Sequence, residues 1–256
     1  MPHEQDLEFG CDKCAESWGN FSITMAFQPI VDIEMRKVFA YEALVRGSKG
    51  EGAGTILSRI NDENIHSFDQ LCRATAIRIA AGLGIDSLLS INFLPNAVYN
   101  PVNCLRATLT AAERYGLPKE RLIFEVTESE EIIDRSHLAN IIREYRKLGI
   151  GVAIDDFGAG HSGLNLLAEV EPDIVKLDRF LITDIDKDKR KQAIVRSLIS
   201  LCADLQMKVI CEGIETNVEY TTLRDLGVRL MQGYYFAHPG FETLAPVDFA
   251  ALDRLS

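Results

Sequence analysis

The chain has 256 residues, 47% of them hydrophobic and 25% charged, enough apolar material for one large globular core. Its 38 Asp+Glu against 27 Lys+Arg give a formal net charge of −11, which argues against a broad phosphate-binding face for DNA or RNA. No apolar run approaches the ~20 residues that span a bilayer, and the start Met1-Pro2-His3-Glu4 has no basic stretch leading into an apolar one, so a cytoplasmic protein without membrane span or signal peptide is expected.

Residues 1–21 are polar and irregular and read as a tail. They carry Cys11-x-x-Cys14 with His3 nearby. One such pair is half of a zinc site; two chains could complete it, the pair could be redox-active, or both could be reduced thiols. Six cysteines without a regular framework fit a reducing compartment. Cys72, Cys104, Cys202 and Cys211 lie in apolar surroundings and read as small core residues.

From Phe21 the chain turns strand-like through Ile23, Met25, Phe27, Ile30 and Val31. A turn around Asp32 to Lys37 leads to a second strand, Val38 to Val45, and the short connection predicts an antiparallel hairpin. A unit then recurs, in which a helical stretch ends at a glycine and an apolar run follows. Gly84 precedes Leu88 to Asn92, Gly116 precedes Leu122 to Val126, Gly149 precedes Ile150 to Ile154, and Gly227 precedes Val228 to Met231. Ile174 to Leu177 and Lys208 to Cys211 fit as two further strands. Among the helices, Leu138, Ile141, Ile142, Tyr145 and Leu148 share one face; Ile194, Leu198, Leu201 and Leu205 share another. Short strands alternating with amphipathic helices imply a parallel sheet covered by helices, and eight strands favour closure into a (β/α)8 barrel over residues 22–256. An open doubly wound sheet is the alternative, weakened because no Gly-x-Gly-x-x-Gly opens the first unit.

In such a barrel the chemistry sits at the C-terminal strand ends. Those ends carry Glu42, Asn92, Glu125, Asp155 with Asp156, Lys176, Glu212 and Gln232. Taken singly each has an ordinary explanation, such as a solvated loop acid, a helix cap or a surface ammonium. Together they crowd like charges into one mouth, which requires cations. Carboxylate-rich sites without His or Cys suit Mg²⁺ or Mn²⁺, and the neighbouring Asp155 and Asp156 could serve two ions. Two metals stabilise the attacking and leaving oxygens of an in-line displacement at phosphorus, so the residues point to metal-assisted hydrolysis of a phosphate ester.

The motifs extend the reading. Tyr41-Glu42-Ala43-Leu44-Val45-Arg46-Gly47 resembles the signature of the EAL family, whose members hydrolyse cyclic di-GMP. Six more motifs follow the family's order: Phe27-Gln28-Pro29-Ile30-Val31, Phe124-Glu125-Val126-Thr127-Glu128-Ser129, Asp155-Asp156-Phe157-Gly158, Val175-Lys176-Leu177-Asp178, Glu212-Gly213-Ile214-Glu215-Thr216 and Gln232-Gly233-Tyr234-Tyr235-Phe236. The resemblance spans roughly residues 22 to 245. It implies a TIM-like barrel whose first strand is antiparallel to the rest, and hydrolysis of cyclic di-GMP to linear pGpG by metal-activated water in second-messenger signalling.

Carried over residue by residue, Glu42, Asn92, Glu125 and Asp155 would hold one ion, and Asp155 and Asp156 a second with Glu212 beside it. Lys176 would position the attacking water or stabilise charge on the phosphate, and Gln232 would orient water or support the cage. Glu212 is either ligand or general base. Arg46 would pair with a phosphate, Gln28 and Asp178 would read guanine edges, Phe236 would lie against a base, and Leu44 would join the substrate contacts. Glu128 and Glu215 would support the glycine-bearing loop Asp156 to Leu166, where this chain has Ala159 and His161 in place of the family's usual Thr and Tyr. The resemblance also implies a homodimer, with a regulatory partner or sensory domain unidentified. The competing expectations are a cyclic di-GMP receptor that does not turn over and an interaction module without nucleotide. Every matched metal and lysine position is filled, which favours the enzyme.

Overall fold

The computed structural model describes residues 22–98, 101–127, 135–160 and 163–254. His3, Cys11, Cys14, Glu128 and His161 lie outside them. β1 (Ile23–Asp32) and β2 (Lys37–Gly47) form an antiparallel hairpin paired from Ile23 with Gly47 to Asp32 with Lys37. β3 (Leu88–Asn92), β4 (Leu122–Thr127), β5 (Gly151–Phe157), β6 (Ile174–Leu177), β7 (Lys208–Cys211) and β8 (Leu230–Gln232) then add in chain order, each parallel to the one before. β8 returns to β1 in antiparallel pairing at Ile30 with Gln232, so eight strands close a barrel; a short β9 (Gly240–Phe241) touches β1 at Ala26. The expected barrel with a reversed first strand is the observed fold.

Helices α1 (Ala53–Leu57), α2 (Ile65–Gly82), α3 (Pro101–Arg114), α4 (Arg135–Lys147), α5 (Gly163–Val170), α6 (Arg179–Ile182), α7 (Lys189–Asp204), α8 (Asn217–Asp225) and α9 (Phe249–Arg254) complete the described elements. Gly149 just past α4 has φ +80, the left-handed turn that ends the helix and starts the run into β5. The predicted α4 face is buried, with Leu138, Ile141, Ile142 and Tyr145 in the core and Leu148 packed against it.

On α7 the expected face is corrected. Ile194 and Leu205 are each 46% exposed, whereas Val195 and Cys202 are buried with Leu198 and Ile199 packed beside them. The buried stripe is turned about one residue from the apolar periodicity, since Val195, Ile199 and Cys202 pack in the core. Cys104, Cys202 and Cys211 are buried and Cys72 is half-buried, all as free thiols. Among the described residues no helix is long and apolar enough to cross a membrane.

Strand alternation builds the interior. Ile30, Ala40, Ile123, Ala153, Ile174, Ile210 and Leu230 form one apolar cluster, the floor of the barrel. Two residues nearer the mouth on the same strands, or just past them, stand Gln28, Glu42, Glu125, Asp155, Lys176, Glu212 and Gln232. The alternate residues of these strands face outward and join the larger core under the helices, among them Phe27, Tyr41, Phe124, Val152, Val175 and Met231.

The β8–β1 seam is short, and a side-chain clip supports it. Arg229 donates to both carboxylate oxygens of the buried Asp32, at 2.7 and 3.0 Å, and Asp32 also accepts from Met35 N at 2.9 Å. Burial raises the Asp32 pKa, but the Arg229 contact and the backbone donors outweigh it and hold the carboxyl below its usual value. Arg229→Ala is expected to lower the melting temperature at pH 7 by no more than a few degrees, because the guanidinium is half exposed and its pairing is screened by water. A folded-state pKa below the unfolded one means the contribution is present above the unfolded value and fades as pH falls through the folded one. The gap between variant and wild type in calorimetry should therefore close below about pH 4.

Candidate active site

The residues expected from the strand ends meet at the mouth around one ammonium. Lys176 on β6 is fully buried, its Nζ 2.6 Å from Glu212, 2.7 Å from Glu125, 3.0 Å from Asp155 and 3.4 Å from Glu42. Glu42 is tied further by Gln232 Nε2 at 2.7 Å and Asn92 Nδ2 at 3.1 Å. Gln232 also donates to Gln28 Oε1 at 3.3 Å. Ser90 on β3 donates its hydroxyl to Glu125. The sequence reading missed Ser90, although its place two residues before Asn92 puts it on the inward face of that strand.

Consecutive residues of a strand face opposite ways, so Asp155 and Asp156 could not both reach the mouth from a regular β5. The strand solves this by breaking its pattern. Asp156 has φ +55, in the left-handed region that Asp tolerates better than most side chains, and β5–β6 pairing is interrupted between Ile154 and Phe157. Carboxylate oxygens of Glu42, Glu125 and Asp155 consequently lie within 4.8 Å of one another, as do those of Asp155, Asp156 and Glu212. Asp155 belongs to both groups.

Five carboxylates, four of them paired with one ammonium, thus stand above an apolar floor. Burial is the largest influence on Glu125 and, with Glu42 and Asp155 beside it, lifts its pKa to about 8 against the pull of Lys176. Burial likewise pushes Glu212 well above the usual carboxylate range, and burial with Asp155 and Asp178 brings Asp156 to about 6. Burial alone would lower Lys176, but Asp155, Glu125, Glu212 and Glu42 outweigh it and hold the ammonium charged. Negative charge therefore exceeds what the chain itself neutralises. Gln232 Oε1 is in addition buried without a partner. An all-oxygen donor set, excess negative charge and an unused amide oxygen fit hard divalent cations.

The remaining candidates are less tightly gathered. A cavity of about 170 Å³ beside the cluster is lined by Gln28, Glu42, Glu212, Glu215 and Gln232, and also by Arg179 and Tyr234, which the sequence reading did not single out. Arg179 pairs with Glu215 at 3.4 Å across this opening. Gly233 is required here, since a Cβ would lie 2.1 Å from the Ile214 carbonyl oxygen. Asp178 caps α6 by accepting from Phe180 N at 2.8 Å. Leu44 and Arg46 are half-buried, and Arg46 Nη1 donates to the neighbouring Val45 carbonyl at 2.8 Å. Phe236 is packed into a cluster with Tyr220 and Tyr235, at centroid distances of 5.9 and 5.3 Å.

The chain is similar to known proteins. The EAL domain family matches residues 15–239. The blue light- and temperature-regulated antirepressor BluF of Escherichia coli K12 is 34% identical over 227 residues, 88% of this chain and 56% of BluF. The cyclic di-GMP phosphodiesterase NbdA of Pseudomonas aeruginosa is 30% identical over 228 residues, 85% of this chain and 29% of NbdA. Among solved structures, a standalone versatile EAL protein from Vibrio cholerae O395, in its c-di-GMP-bound form, superposes with a TM-score of 0.87 at 50% identity, covering 90% of this chain and 98% of that one. The chain thus spans about half of BluF and under a third of NbdA.

Proposed function

Since the chain belongs to the EAL domain family, we propose that it is a metal-dependent phosphodiesterase converting cyclic di-GMP to linear pGpG. The observation that carries this reading is the complete cluster of five carboxylates around the buried Lys176 at the barrel mouth. Glu42, Asn92, Glu125 and Asp155 would hold one Mg²⁺ or Mn²⁺, and Asp155, Asp156 and Glu212 a second. Bound there, such ions supply Lewis-acid polarisation of the phosphate and acidify water.

The chain's own residues do the rest. Lys176, charged and fixed by four acids, would provide positive charge where negative charge develops on phosphate oxygens. Glu212, 2.6 Å from Lys176 and grouped with Asp155 and Asp156, would serve either as a ligand of the second ion or as the base that takes the proton of the attacking water. Gln232 and Asn92 fix the Glu42 carboxylate. Arg46 would release the Val45 carbonyl to pair with a substrate phosphate, while Gln28, Leu44, Asp178 and Phe236 would frame the bases. Assembly as a homodimer in the cytoplasm is part of the same reading.

Incubation of the protein with cyclic di-GMP and Mg²⁺ or Mn²⁺, followed by chromatography, should show pGpG in the metal-containing arms and none with EDTA. BluF is an antirepressor, which favours a second reading, a receptor that binds cyclic di-GMP without turnover. Tight binding with no product in any metal arm would assign the chain to it.

A further inference from the structure

We propose that Asp69 and Arg73 on α2 form a positioning pair that fixes the rim strands carrying Asn92 and Glu125 for divalent-cation binding; this rests on the metal reading above. Asp69 and Arg73 are 2% and 1% exposed and form an ion pair one helical turn apart, the charged pair among the buried residues of α2. A buried ion pair is a weak source of stability, because desolvation opposes its attraction. Its geometry shows another use. One Asp69 oxygen pairs with Arg73 Nη2, while the other, Oδ1, accepts from Leu94 N at 3.0 Å.

Leu94 lies two residues after Asn92 and directly before Pro95, which has no N–H to offer. Phe93 N donates to the Glu125 carbonyl at 3.0 Å. The chain leaving Asn92 is therefore tethered at two successive amides, one by β4 and one by Asp69. Asn92 itself is exposed at the rim and reaches Glu42 with its amide, so its placement depends on that tether. Arg73 reaches the second strand as well. Its guanidinium lies 5.6 Å from the Phe124 ring centroid, next to Glu125. Phe124 packs in turn with Phe93 and Tyr145, at centroid distances of 5.8 and 5.0 Å. The pair thus grips the residue before Glu125 and the second residue after Asn92. Groups that orient metal ligands typically tune affinity by about 10–100-fold when removed.

Two double variants separate anchoring from core packing. Asp69→Leu/Arg73→Met removes both the charges and the acceptor for Leu94 N–H. Asp69→Asn/Arg73→Met removes the charges but keeps an amide oxygen as acceptor. Mn²⁺ titration calorimetry on the full chain should show at least about 10-fold weaker binding for the first and near wild-type binding for the second. Equal affinity in wild type and both variants, or equal loss in both, overturns the proposal. A wild-type chain that takes up no Mn²⁺ defeats the metal reading instead. If the leucine variant does not fold, amide exchange decides: Leu94 N–H should be strongly protected in the wild type and in the asparagine variant, and rapid exchange in the wild type overturns the proposal.

Discussion

Lys176→Met is expected to lower turnover of cyclic di-GMP by at least about 10²-fold, the scale on which removing one preorganised electrostatic donor acts. The side chain keeps its length and apolar stem, so the change isolates the charge. A second effect follows from where that charge sits. In the wild type one ammonium neutralises part of a cluster of buried acids, whereas in the variant Glu42, Glu125, Asp155 and Glu212 face one another without it. Removing one partner from a buried ion pair costs about 3 kcal/mol or more, so the metal-free variant should melt roughly 10 °C lower. Cations that bind the folded cluster should recover part of that loss. Product chromatography and calorimetry with and without Mn²⁺ check both effects. Unchanged turnover would remove Lys176 from the chemistry, and an unchanged metal-free melting temperature would show that the cluster does not depend on it.

Asp155→Asn should be still more damaging to activity and yet harmless to the fold. Asp155 is the one carboxylate common to both groups of acids, so a single change strips a charged donor from each. The amide keeps the size and drops the charge, while Lys176 retains three carboxylate partners. Mn²⁺ affinity should fall by more than about 100-fold, beyond the range seen when only supporting groups are lost, and pGpG should fall below detection. Metal-free stability should hold or rise, because one of the like charges that raise Glu125 and Asp156 is gone. Mn²⁺ binding as tight as wild type would show that the shared position is not a ligand.

The hairpin, the alternating unit and the polar strand ends were legible because each leaves a local trace. Ile123 and Glu125, or Ile174 and Lys176, are two residues apart, and that spacing alone sends one to the barrel floor and the next to the mouth. Lys176 is a useful contrast. Alone it reads as an ordinary surface ammonium, and only the count of acids on the neighbouring strands explains full burial. Glu125 also sits deeper than a rim residue, at 1% exposure, because Ser90 and Lys176 enclose it.

Other features leave no local trace. Asp69 and Arg73 look like any exposed pair one turn apart on a helix, and nothing in their spacing reveals that Leu94 N–H lies against them. The exposed Ile194 and Leu205 defeat periodicity on α7, since the apolar stripe in sequence and the stripe that meets the sheet differ by about one residue. Asp156 is intermediate. Its proximity to Asp155 was legible, but the left-handed backbone that makes both usable was not.

The reversed first strand settles where anything joined ahead of the barrel must arrive. Ile23 pairs with Gly47, the last residue of β2, and Ser22 shares a hydroxyl contact with Ser48. The leading end of the barrel therefore enters at the same rim as the acids, whereas an all-parallel barrel would admit it at the sealed end beneath the apolar floor. A module fused at residue 22 would begin its path at the rim that carries the acids, on the strand paired with the one that bears Glu42.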